Sequence, residues 1–171
     1  MSSNGLGQIL RLASIKSQGW HCQEIKLDVF EENVQAKQWY ERLGFRHATS
    51  LIWLRIRPER AKDVSGTVVS GYPQACLCHE RFGFGEFSVT TPSGVYKVGI
   101  LGRDWFRITE ESAITDALLS SMLSMLDNKR NILAIIPETS AVQEDMYKTS
   151  FIARGHRLYS NLCTLLNKIS C

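Results

Sequence analysis

The chain is predicted to be an α/β protein with a mixed central β-sheet flanked by helices, divided into two half-domains. Three observations predict this. Residues 5 to 57 read as helix, strand, helix, strand from their apolar spacing, and a similar succession returns about one hundred residues later. Between the two lies a charged, Ser/Gly-containing stretch that carries neither period.

In the first half-domain, Leu6, Ile9, Leu10 and Ala13 follow the i, i+3, i+4, i+7 spacing of an amphipathic helix that Gly19 ends. Ile25, Leu27 and Val29 then alternate with Glu24, Lys26 and Asp28, as a half-buried strand requires. Asn33 is an N-cap residue, because its side-chain oxygen can accept a backbone N–H. Ala36, Trp39, Tyr40 and Leu43 line one face of the helix it opens. Gly44 is the stop, and Ile52, Leu54 and Ile56 form a second strand before Pro58.

Residues 59 to 78 read as a connector, with room for one short element. The second half-domain, residues 79 to 171, opens with Phe87 and Val89, which lead through Pro92-Ser93-Gly94 into one long or bent strand from Val95 to Ile108. Gly99 and Gly102 are candidate bulge positions in it. Thr109 with Glu110 and Glu111 predicts a capped helix start, with Ile114, Leu118, Met122 and Met125 on the apolar face. Ile132 to Ile136 is a continuous apolar run, expected of a buried strand. Ser140 and Gln143 have capping-box spacing for another helix, ended by Gly155, and His156 to Leu166 reads as the last strand. The likeness between the halves is sharpest where Gly44-Phe45 and Ser150-Phe151 each precede a strand.

Composition excludes several classes. With 171 residues, 44% hydrophobic and 22% charged, the chain can bury a core and is not of disordered type. Twenty basic residues are interspersed with seventeen acidic ones for a net charge of +3, which gives no nucleic-acid stripe. The five cysteines, Cys22, Cys76, Cys78, Cys163 and Cys171, lack paired zinc spacing, so no metal is expected. No apolar run approaches the roughly 20 residues of a membrane span. The expectation is a cytoplasmic protein with reduced thiols.

The chemistry concentrates in Leu27 to Phe45, LDVFEENVQAKQWYERLGF, preceded by Asn4-Gly5-Leu6-Gly7. This arrangement of strand, Asn-x-x-Ala, and Tyr four residues before Gly-Phe resembles the second half of the GCN5-related N-acetyltransferase signature. The upstream glycines resemble the end of that family's pyrophosphate loop. Together the matches cover the first third of the chain. The physics is compatible: two glycines at a helix start let backbone N–H groups and the helix dipole approach a phosphate. The resemblance implies acetyl-coenzyme A as co-substrate, with Gly5, Leu6, Gly7 and Gln8 cradling its pyrophosphate and Val29 and Asn33 along its arm. It further implies Tyr40 as the acid that protonates the departing thiolate, and a small-molecule or peptide amine as acceptor.

Each assignment has a structural alternative. Asn33 serves as an N-cap in either case, and Tyr40 is also explained as a core aromatic beside Trp39. Asp28, Glu31 and Glu32 are acidic but undistinguished, so no base is assigned. His21, Cys22 and His47 lack a third partner for covalent catalysis and read as packing or surface residues.

The sequence departs from the family in two respects. Ser2 stands where the family carries Gln or Arg, and no strands precede the glycine loop. Either the chain is a truncation or those strands come from elsewhere, the candidate being the hairpin that ends in Val95 to Ile108. The second half-domain then resembles a degenerate acetyltransferase unit without a glycine loop, expected to bind no cofactor. A catalytically silent assembly or regulatory module is the alternative function. An exposed sheet edge would favour a homo-oligomer.

Overall fold

The computed structural model describes residues 23–57, 63–140, 149–163 and 165. The described chain is a mixed α/β structure whose eight strands are hydrogen-bonded in the order β1-β8-β2-β7-β6-β5-β4-β3. In chain order the elements are β1 (Glu24–Phe30), α1 (Val34–Arg42), β2 (Arg46–Ile56), β3 (Val68–Ser70), α2 (Tyr72–Phe82), β4 (Phe84–Thr91), β5 (Gly94–Leu101), β6 (Trp105–Ile108), α3 (Ser112–Thr115), α4 (Ala117–Leu126), β7 (Asn131–Pro137) and β8 (Thr149–Asn161). They fall into two compact units, one of residues 1–51 with 154–171 and one of residues 52–153. These units do not follow the sequence-based division at 58 and 79. Apolar periodicity identifies a strand but not its neighbour, and β8 belongs mostly to the unit in which the chain begins.

In the first unit β1 pairs antiparallel with β8, from Glu24 opposite Asn161 to Phe30 opposite Gly155. The alternation read from Ile25, Leu27 and Val29 is realised, with Val29 buried and the other two half-buried. Val29, Phe45, Leu158 and Leu165 form the core, against which Ala36, Tyr40 and Leu43 of α1 pack. The register is marked by Arg157 directly opposite Asp28, a bidentate pair with Nε–Oδ1 at 2.8 Å and Nη2–Oδ2 at 2.9 Å. Both groups are partly solvated, so the pair contributes no more than about 1 kcal/mol. Its larger effect is on specificity, since a one-residue slip would separate the charges and turn Leu158 out of the core.

The second unit buries one sheet face beneath α2 and α4, with Phe87, Val89, Val98, Phe106, Ile108, Leu119, Leu123, Ile132 and Ile136 at its centre. β4 and β5 form the expected hairpin, paired from Phe84 with Leu101 to Thr91 with Gly94. The single strand expected from Val95 to Ile108 is instead two strands: β6 folds back antiparallel on β5, and Gly99 lies opposite Arg107 in regular register, without a bulge. β7 pairs parallel with β6 and is buried as its apolar run requires.

Other expectations are corrected. The connector contains β3 and an eleven-residue helix, α2, with Pro73 in its first turn. Proline there lacks only an N–H that a helix start leaves free, so it marks a beginning where the sequence reading took it for a loop. The helix expected from Thr109 begins at Ser112 and is interrupted by Asp116, which caps α4. This break rotates the buried face to Leu119 and Leu123 and leaves Met125 68% exposed. Ser150, Phe151 and Gly155 all lie within β8, so Gly155 ends no helix and Ser150-Phe151 is part of the strand it was expected to precede. Phe151 is 54% exposed where Phe45 is 3%. Residues 141–148, which include Gln143, lie outside the described residues.

The approach of α2 to β4 depends on Gly85, where an added Cβ would overlap the Ala75 carbonyl group. Since that obstacle is backbone, Gly85→Ala should destabilise the protein by about 2 kcal/mol or more, in the range of overpacked cores. Urea denaturation followed by circular dichroism measures this, and an unchanged midpoint would show that the helix can withdraw at no cost.

Candidate functional site

β1 ends at Phe30 and the chain turns through Glu31 and Glu32, with the Asn33 N–H donating to the Phe30 carbonyl at 3.0 Å. Asn33 takes the capping position expected of it: its Oδ1 accepts the Ala36 N–H at 3.1 Å. The residue is exposed, and among the described residues its side-chain NH₂ has no partner. The end of β1 thus presents a fixed amide donor at a helix N-terminus, where the dipole is also positive.

The other end of α1 explains the Tyr-x-x-x-Gly-Phe spacing. Gly44 has φ +92°, in the left-handed region that glycine enters without steric cost. Its N–H donates to the Glu41 carbonyl at 2.9 Å, and the Phe45 N–H donates to the Tyr40 carbonyl at 3.0 Å. These two bonds are a Schellman motif, which commonly carries an apolar contact between the residues that stand here at Tyr40 and Phe45. Their rings do meet edge to face at 5.5 Å, and Trp39 meets Tyr40 at 5.1 Å. Tyr40 is therefore held by its ring and its carbonyl, while its hydroxyl makes no hydrogen bond among the described residues.

Val29, two turns of pleat before the cap, is 6% exposed and its side chain belongs to the core. Gly5, Leu6, Gly7 and Gln8, with His21 and Cys22, lie outside the described residues. Among the residues singled out by sequence, the structure places Val29, Asn33 and Tyr40 on one strand–turn–helix segment. The hairpin proposed to stand in for missing strands does not do so: β5 lies between β4 and β6, whereas β1 pairs with β8. His47 makes an edge contact with His156 at 5.3 Å and approaches the Ser50 hydroxyl at 3.4 Å.

The second unit has its own helix start with different chemistry. Asp116 Oδ1 accepts the Leu118 and Leu119 N–H groups at 2.9 and 3.0 Å, and the Thr91 hydroxyl donates to Oδ2 at 2.6 Å. Burial raises the pKa of this carboxyl, but the bonds from Thr91, Leu119, Tyr96 and Leu118 together outweigh it and hold the group below its ordinary value. Burial, followed by the Asp116 contact, pushes the Tyr96 phenol up. The α4 donors are thus filled by an internal anion. Sequence reading missed Asp116, although an aspartate immediately before Ala117-Leu118-Leu119 is a readable N-cap. Nearby, burial and then the Cys76 thiol push the Tyr72 phenol up to about 12, so it is neutral and a poor acid at ordinary pH.

No protein-family model matches the chain, and no curated protein sequence does. Solved structures do. A proposed acetyltransferase from Pyrococcus horikoshii superposes on 91% of this chain and 59% of its own length, with 15% identity and a TM-score of 0.54. GCN5-related N-acetyltransferases from Sphaerobacter thermophilus and Anabaena variabilis match at 12% and 9% identity, with TM-scores of 0.41 and 0.40. They cover 81% and 94% of this chain and 60% and 51% of theirs. The chain shares its fold with the Pyrococcus horikoshii structure, and it spans six tenths or less of the length of these structures. Among the described residues no group of side chains could hold a metal, and no helix is long and apolar enough to cross a membrane.

Asp116→Ala should lower stability by about 2 kcal/mol, because it removes a cap and strands the Thr91 hydroxyl. The folded pKa lies below the unfolded one, so this contribution is complete above the ordinary carboxylate pKa and disappears as pH falls through the folded value. Denaturation midpoints between pH 6 and 2.5 should therefore fall less in Asp116→Asn than in the parent. Parallel curves would show that Asp116 titrates as it does in the unfolded chain.

Proposed function

We propose that this chain is part of an acetyl-coenzyme A-dependent N-acetyltransferase that transfers acetyl to an amine of a small molecule or peptide. The observation that carries the reading is the segment from β1 through α1, in an acetyltransferase fold, with a spare amide at one helix end and a phenol whose hydroxyl is unused at the other. Residues 5 to 8 are assigned to the pyrophosphate and Asn33 to the pantetheine arm, with Val29, whose side chain is in the core, able to meet the arm only through its backbone. Bound acetyl-coenzyme A supplies the thioester. Tyr40 would give its phenolic proton to the sulfur that leaves as the amine nitrogen bonds to the acetyl carbon, and the proton lost by that nitrogen would pass to solvent water, from which the phenolate is reprotonated. A phenol is a weak acid, so it stays protonated until a basic thiolate forms near it. We place the chain in the cytoplasm, with thiols reduced.

A second reading, a silent acetyltransferase-like module for assembly or regulation, is favoured by one observation: the Tyr40 ring and carbonyl already serve the end of α1. Two measurements separate the readings. Acetyl-coenzyme A at millimolar concentration should give calorimetric heat and a thermal shift, and their joint absence overturns the enzyme assignment. Tyr40→Phe keeps the ring contacts and should leave stability unchanged while lowering kcat by about 10²-fold or more, as for loss of a general acid. Full turnover in that variant removes Tyr40 from the chemistry, and turnover of any amine by the parent excludes the silent module.

A further inference from the structure

Glu86, Gly99 and Arg107 form one row across β4, β5 and β6, because Glu86 is the strand partner of Gly99 and Gly99 is the partner of Arg107. Partnered residues project to the same face, so the row sets the backbones of an acidic and a basic residue two strand spacings apart, about 10 Å, with no side chain on the strand between them. This face lies opposite the one covered by α2 and α4, where Phe87, Val98 and Phe106 are buried. At its end a cleft of about 470 Å³ is lined by Cys78, Phe84, Glu86, Gly99, Leu101 and Arg107, among others. That size is within the range of small-molecule sites.

Of the two charges in the cleft, Glu86 has an exposed ion-pair partner and Arg107 has none among the described residues. Glu86 turns to Lys97 at 3.8 Å. The Arg107 guanidinium lies over Gly99, close to where a Cβ would stand, with Nε at 3.3 Å and Nη2 at 3.6 Å from that position. It is half-buried and has no ion pair or hydrogen bond among the described residues. The two large apolar groups beside it are oddly placed for a surface: Phe84 is 66% and Leu101 36% exposed, and Phe84 is flanked by Phe82, itself 59% exposed. A planar guanidinium recognises a carboxylate through two parallel bonds. The Glu86 carboxylate on the opposite wall would repel a second negative charge, which disfavours a diphosphate or a dicarboxylate.

We propose that this cleft binds a small amphipathic monocarboxylate, its carboxylate on Arg107 and its apolar body against Phe84 and Leu101. The site stands on the second unit and does not depend on the acetyltransferase reading. Cys78 on its wall is a free, exposed thiol and serves as a local reporter, with exposed Cys163 as the internal control.

The test uses the full chain with 4-phenylbutyrate as probe and uncharged 4-phenylbutanol as its control. Phenylbutyrate should slow maleimide labelling of Cys78, read by peptide mass mapping, at least fivefold without slowing Cys163, and with the concentration dependence found by calorimetry. Arg107→Gln should weaken binding at least tenfold, and Arg107→Lys should restore only part of it, because an ammonium lacks the paired donors. If Arg107→Gln melts below the parent, Phe84→Ser supplies the second variant and should weaken phenylbutyrate as well. Absence of protection overturns the proposal, as does equal binding of phenylbutanol or undiminished binding in the folded Arg107→Gln protein.

Discussion

The pairing of β1 with β8 is the constraint on which the first unit depends. It joins residues 24–30 to residues 155–161, so the two parts of this core come from opposite ends of the described chain. Closing so long a loop costs entropy that grows only as the logarithm of its length. The return is local: Leu158 and Leu165 are fully buried against Val29 and Phe45, and each such side chain contributes roughly 1.5–3 kcal/mol. A few contacts of that size offset the closure. The Asp28–Arg157 pair adds little free energy but selects the register that brings those leucines inward. Asn33 projects from the end of β1, so its place is set by a strand more than one hundred residues away in sequence.

The two units end their comparable helices in opposite chemical states. At the start of α1, a neutral amide caps one backbone N–H, remains exposed, and keeps its donor hydrogens. At the start of α4, a carboxylate with 8% exposure caps two N–H groups, takes a hydroxyl besides, and carries its charge into the interior. An incoming phosphate would meet attraction at the first site and a fixed negative charge at the second. The difference lies in a single side chain at each position, Asn33 against Asp116. Of these two helix starts, it makes that of α1 the better candidate for an anion without any appeal to the glycine loop.

What could be read from sequence was whatever depends on neighbours in the chain. The alternation of β1, the Asn33 cap, the Gly44 stop and the buried run of β7 are all local, and each is present. The failures share a cause in context that periodicity does not encode. Val95 to Ile108 is strand-like on both sides of Gly102-Arg103-Asp104, where the chain reverses between Leu101 and Trp105; the reading took Gly102 for a bulge, because a period of two does not tell a bulge from a turn. Asp116 interrupts an apolar stretch that reads as one helix, and the reading chose the earlier start at Thr109 with Glu110 and Glu111. Ser150-Phe151 resembles Gly44-Phe45 as a pair before a strand, yet serine lacks the left-handed freedom that makes Gly44 a helix stop, and the pair lies inside β8. In the candidate site, positions along the segment were legible, but the engagement of the Tyr40 ring was not, because a Schellman motif is recognised by its hydrogen bonds.

That engagement changes what the resemblance is worth. Tyr-x-x-x-Gly-Phe is a helix-ending device: glycine supplies the left-handed turn, and two aromatic rings supply the contact that accompanies it. Any protein that ends a helix this way has a structural reason for the pattern, so the pattern alone separates an enzyme poorly from a silent relative. Discrimination rests on the atoms that folding does not require. Phenylalanine would pack as well as Tyr40, and serine or aspartate would cap as well as Asn33. The Tyr40 hydroxyl and the Asn33 amide hydrogens are therefore the two features of α1 that stability leaves unexplained. They belong to the cap and the last two turns of one nine-residue helix, seven residues and about 10 Å apart along its axis at 1.5 Å per residue. An extended thioester cofactor is long enough to reach both, whereas a compact anion would meet only one.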